Sequence, residues 1–236
     1  LHLEGDFTEE LRESRFHSGN GGDDYLTLLS GEVRSLAALG RAQEIDALLD
    51  RMSPISPKEF PSPGEVMLTA AEELAGHGHA ADAPPILQRA LNWFDARTDT
   101  NLQFRVESLH ARALYQAGRL AEAEAIAKTL LRRDSTGSAV PWALLGTIAA
   151  HRGNRAEAER IAAHLATKSM NDLLDHVEVA RAKIAMALGE RDSALTHLER
   201  GCSRGCDMLL YMLESDHDLL PLHGDPRFKE LLRPKG

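Results

Sequence analysis

Apolar and small residues recur at helical spacing on both sides of an evenly placed set of glycines. Gly40, Gly78, Gly118, Gly153 and Gly189 are separated by 38, 40, 35 and 36 residues. Seven positions before them stand Val33, Ala71, Ala111, Gly146 and Ala182, and four before them Leu36, Leu74, Leu114, Ala149 and Ala185. Those two positions share one helical face. Five positions after the glycines come Ile45, Ala83, Ala123, Ala158 and Ala194, then at nine Leu49, Leu87, Ala127, Ala162 and Leu198. The residues after each glycine therefore predict a second amphipathic helix. Glycine fits the junction because it takes the left-handed conformation that ends a helix without a Cβ penalty.

The repeating unit is a helical hairpin of about 35 residues, a period that marks stacked repeat architectures. Small residues where the two helices cross allow close approach, and leucines fill the space between hairpins. A lone hairpin cannot bury both its faces, so stacking is required. The predicted fold class is all-α, a solenoid of antiparallel hairpins. Full repeats are expected over 23–53, 64–97, 100–133, 138–167 and 171–201, after a partial copy over 1–17 built around Gly5.

The best copy runs Trp142-Ala143-Leu144-Leu145-Gly146, then Gly153-Asn154-Arg155-Ala156-Glu157-Ala158. With its small position, turn glycine and second-helix alanine, the pattern resembles the tetratricopeptide repeat over most of the chain. The resemblance implies a right-handed superhelix whose first helices line a concave, peptide-binding groove. The proline that often closes a family repeat is present only as Pro57, and Pro84-Pro85 enter the first turn of a second helix. The second repeat departs furthest.

Pro54, Pro57, Pro61 and Pro63 forbid a continuous helix and predict a long connection, and Gly19, Gly21 and Gly22 make Ser18 to Asp24 a loop. Asp207 to Glu214 reads as a short apolar helix. Asp225 is placed to cap a helix with Pro226 at its first position, so 204–236 reads as the cap of the stack. That ending resembles those of tetratricopeptide regions attached to bacterial serine/threonine kinases and transcriptional regulators. The first residues, which fall inside a repeat without an initiator methionine, read as part of a longer chain.

Composition agrees with helices. Only 5% of the residues are aromatic within a 43% apolar content, which disfavours a sheet core. A net charge of -9 would repel a phosphate backbone and argues against nucleic acid as partner. No run approaches a membrane span or a signal peptide, and two cysteines are too few for a disulfide framework, so the expected compartment is the cytoplasm.

No phosphate-binding loop, zinc-protease helix or nucleophile elbow is present, so neither catalytic residues nor a cofactor are expected. Cys202 and Cys206, with His217 or His223, are a weak metal candidate beside the plainer reading of two small buried thiols. His77 and His79 bracket a turn glycine and are expected to be exposed, so no metal is expected. Acidic pairs such as Glu9-Glu10 and Glu72-Glu73 read as solvated charges, and Glu44, Asp82, Glu122 and Glu157 as acids favouring a helix start.

Carrying the groove across by repeat position places Arg34, Glu72, Arg112, Thr147 and Lys183 inward, six residues before each glycine. Arg105, Tyr115 and His176 fall on the same surface. Its basic groups would select an acidic segment or a terminal carboxylate, or else pair with neighbouring glutamates. The function expected is a protein-protein interaction scaffold rather than an enzyme. The alternative is a regulatory solenoid of a larger enzyme, such as a bacterial serine/threonine kinase.

Overall fold

The computed structural model describes residues 2–18, 25–52, 61–97, 104–133, 138–167, 174–203 and 212–233. The loop expected at Ser18 to Asp24 lies outside these residues after Ser18, as do Pro54 and Pro57 of the proline-rich connection and most of the helix expected over Asp207 to Glu214. Every regular element among the described residues is helical. A short 3-10 turn, His2–Glu4, precedes α1 (Phe7–Ser18), α2 (Tyr25–Ala38), α3 (Ala42–Met52), α4 (Pro63–Gly76) and α5 (Ala83–Asp95). Then follow α6 (Phe104–Gln116), α7 (Leu120–Arg133), α8 (Ala139–His151), α9 (Arg155–Ala166), α10 (Leu174–Ala187), α11 (Arg191–Cys202) and α12 (Pro226–Leu232). The chain is a helical repeat protein.

The repeat is written in its turns. Gly5, Gly40, Gly78, Gly118, Gly153 and Gly189 all have positive φ, between 68° and 87°, and no described non-glycine residue does. After each of the five later glycines, the next N–H donates to the carbonyl five residues back: Arg41 to Leu36, His79 to Leu74, Arg119 to Leu114, Asn154 to Ala149 and Glu190 to Ala185, at 2.7–2.9 Å. This is the Schellman closure, which satisfies carbonyls that the helix end would leave unpaired. It repeats because the left-handed residue repeats.

Side chains begin the helices as the sequence suggests. The Glu65 N–H donates to Ser62 Oγ ahead of Pro63, and the Glu157 N–H to Asn154 Oδ1. The Arg227 N–H donates to Asp225 Oδ1 ahead of Pro226, so the terminal helix has the expected cap. Pro84 and Pro85 lie in the first turn of α5, where no intrahelical donor is lost. Asp82 precedes that helix without a side-chain cap bond.

The core follows the periodicity. Leu36, Leu74, Leu114, Ile45, Ala123, Ala158 and Ala194 are buried. Ala83 is only half-buried, and Ile86 and Ala90 fill that place in the divergent second repeat. Two glycines are kept by packing rather than by φ. A Cβ on Gly64 would strike the ring of Trp93, and one on Gly146 would strike Ile184 Cδ1.

The chain divides into two units, Leu1–Leu109 with Ser215–His217, and His110–Glu214 with Asp218–Gly236. In the first unit α1 packs on α2, α2 on α3 and α4, and α4 on α5. In the second, α8 packs on α7, α9 and α10, α10 on α9 and α11, and α11 on α12. In each unit the first helix of one hairpin therefore lies against the first helix of the next. That arrangement gathers polar side chains from distant repeats.

Candidate functional site

In the first unit α4 carries Glu73 in its last turn, and His77, the residue that caps the helix end, follows four positions later on the same side. Stacking brings Arg34 of α2 to the same place. The Gly5 N–H donates to the His2 carbonyl, closing the turn that places His2 beside Glu73 before α1 begins. The Arg34 Nε–H donates to Glu73 Oε1 at 2.9 Å. His77 Nε2 and His2 Nε2 donate to the other oxygen, Oε2, at 3.1 and 3.2 Å. The second His2 nitrogen, Nδ1, donates to Glu10 Oε2 of α1 at 2.7 Å.

The side chains of Glu73, His2, His77 and Arg34 are 1%, 8%, 10% and 17% exposed, so this is an interior cluster. The Phe7 ring stands edge-on to His2 and to His77, with centroids 5.1 and 4.8 Å away. Burial alone would push the Glu73 carboxyl upward. The His2 and His77 hydrogen bonds and the Arg34 charge outweigh it and hold the group well below the carboxylate range. Burial likewise opposes charge on His2, but hydrogen bonds to Glu10 and Glu73 prevail and raise its pKa to about 9. The buried Glu73 carboxylate is thus compensated by two cations, His2 and Arg34.

The second unit holds another cluster on its first helices. The Tyr115 hydroxyl donates to Asp218 Oδ1 at 2.5 Å and accepts from His151 Nε2 at 2.8 Å. Lys183 Nζ lies 3.6 Å from Asp218 Oδ2, with the two side chains 18% and 10% exposed. On the neighbouring hairpin, His197 Nδ1 contacts Glu178 Oε2 at 2.5 Å, and Arg181 pairs with Glu178 Oε1 at 3.1 Å.

The residues expected to face a partner divide accordingly. Tyr115 and Lys183 are brought together around Asp218. Arg34 is drawn into the Glu73 cluster, and Arg105 is exposed but pairs with Glu65, its Nε 3.2 Å from Oε2. Thr147 is buried, its hydroxyl donating to the Ala143 carbonyl inside α8, so it presents no polar group to a surface. Glu72 and Arg112 are half-buried and His176 is exposed.

Three expectations are corrected. Glu73 is an interior ion-pair partner rather than a solvated charge, because α2 and the segment before α1 close over it. His77 is nearly enclosed because His2 and Phe7 stand against its ring, and His79 packs its ring against Gly40 with Nε2 3.3 Å from the Ala38 carbonyl, because the preceding hairpin's turn covers it. Cys202 is disulfide-bonded rather than a free thiol. The only other cysteine in the chain, Cys206, lies outside the described residues. A sulfur in that state is not a thiolate ligand.

Sequence reasoning missed His2, Glu10, His151 and Asp218 and gave Glu73 and His77 no joint role. The available signal was the four-residue spacing between Glu73 near the end of a predicted helix and His77 in the turn that follows it. No described helix is long and apolar enough to cross a membrane. No protein-family model matches the chain, and comparison with curated proteins returns no match.

Proposed function

We propose that this chain is an interaction scaffold of tetratricopeptide type, and that the first-helix face of its second unit receives a carboxylate-bearing segment of a partner protein. The observation that carries the reading is Asp218, held by the Tyr115 hydroxyl and faced by Lys183 on α10. Together these groups offer a neutral donor and a cation to one carboxylate, the combination that a peptide acid requires. Asp218 occupies that place as an internal stand-in. A partner acid would exchange with it, so affinity would be set by the difference between two similar contacts.

Panning a random-peptide display library against the wild-type chain and Asp218→Ala tests the reading. Acidic peptides should be enriched on both, more strongly on Asp218→Ala, and Lys183→Glu should abolish their binding in fluorescence anisotropy. Absence of acidic enrichment on both proteins, or equal binding to Lys183→Glu, would sink it.

A further inference from the structure

The geometry points to a metal site that is separate from the proposed peptide face: His2 Nε2, His77 Nε2 and Glu73 Oε2 converge to bind one divalent transition ion of the zinc class. All three residues offer ligand atoms within 4.8 Å of one another. The two nitrogens stand 3.2 and 3.1 Å from the shared oxygen. In a tetrahedral zinc site with bonds of ~2.0–2.1 Å, neighbouring donor atoms lie roughly 3.3 Å apart. Both nitrogen-to-oxygen edges of the cluster therefore already have the length of a coordination shell's edge.

The donor chemistry selects the ion. Two imidazoles and one carboxylate suit zinc and its neighbours, whereas calcium and magnesium seek oxygen alone. Three protein ligands leave a fourth position for water.

The surroundings are also those of a ligand shell. Glu10 accepts from His2 Nδ1, fixing the ring with Nε2 toward Glu73 in a carboxylate–histidine pair that increases ligand basicity. Arg34 binds Glu73 through Oε1 and leaves Oε2 to the histidines. On binding, the ion takes the place of the protons through which both histidines reach Glu73, so metal and proton compete for the same nitrogens. The consequence is structural. His2 and Glu73 are 71 residues apart, so the ion would fasten the segment ahead of α1 to α4 and hold α1 against α2.

The test uses the untagged, metal-stripped chain. Calorimetric titration with Zn2+ should find one tight equivalent, and Co2+ should give the intense visible bands of a low-coordinate ion. His2→Gln and His77→Gln, each shown folded by circular dichroism, should lose that equivalent. His17→Gln, on the exposed side of α1, should keep it. Glu10→Gln should weaken binding roughly 10–100-fold through loss of the supporting carboxylate. X-ray absorption of the wild-type zinc adduct does not depend on any variant folding and should show two imidazoles with oxygen completing the shell. A wild-type chain without a stoichiometric site, binding unchanged in both histidine variants, or a shell with sulfur or another imidazole count would overturn the assignment. Peptide binding to the second unit is read separately, so failure of either proposal leaves the other standing.

Discussion

Arg34 on α2 and Glu73 on α4 meet across 39 residues of sequence, with Nε 2.9 Å from Oε1. They belong to successive hairpins, so the pair exists only when the two first helices stack. The glutamate side chain is 1% exposed, and His2 and His77 occupy its other oxygen. A buried carboxylate of this kind adds little net stability over an apolar residue, but it penalises any stacking that leaves it unmatched.

Replacing Arg34 with methionine should therefore cost more than an exposed arginine would. The expected loss is about 3 kcal/mol, the low end for breaking a buried pair, because two histidines remain on Glu73. Urea unfolding measures it. A change below about 1 kcal/mol, the value of a surface pair, would show that the interior network is not closed around Glu73.

Gly146 allows α8 to lie close to α10, since a Cβ there would meet Ile184 Cδ1. Gly146→Ala gains helix propensity but overpacks the contact, and a net loss of about 1–2 kcal/mol is expected. Ile184→Ala removes both colliding carbons, Cδ1 and Cγ1. The double variant should thus be more stable than the sum of the single changes predicts, in a thermodynamic cycle from urea unfolding.

These two sites show what was readable in the sequence. Gly146 sits at a fixed offset from Gly153, and the offset alone marked it as a small-residue crossing. The turn glycines, the Asp225–Pro226 helix start and the prolines of α5 were legible for the same reason, since their causes lie within a few residues. Arg34, Lys183 and Tyr115 were found as first-helix residues, but their partners were not. Glu73, Asp218 and His2 come from other elements, and local periodicity carries no information about which charges stacking will oppose. Glu73 therefore resembled any other acid on a helix, and His77 any histidine near a turn.

His197 supplies a pH dependence. Burial lowers its pKa below the ordinary 6.5, with Arg181 and Arg200 adding to the effect and Glu178 opposing it. Because the folded value is depressed, the unfolded chain takes up the proton first. This contribution to stability is present above the unfolded value and declines as pH falls below about 6.5 toward the folded value. His197→Gln should flatten that part of the stability-pH profile, and ring resonances followed by NMR should titrate below 6.5. Titration above 6.5 would mean that the Glu178 contact dominates.

Gly153 tests the turn rather than the packing. Its φ is 75°, and a Cβ there would meet no atom within 4 Å. The cost of Gly153→Ala is therefore conformational, about 1–2 kcal/mol, and trimming neighbouring side chains should not recover it. Asparagine tolerates the left-handed region better than alanine because its short polar side chain can bond locally. Gly153→Asn should thus fall between glycine and alanine in urea unfolding. An alanine variant as stable as the parent would mean that the Asn154-to-Ala149 closure does not require a left-handed residue, and the shared glycine would lose its physical reason for recurring at each turn.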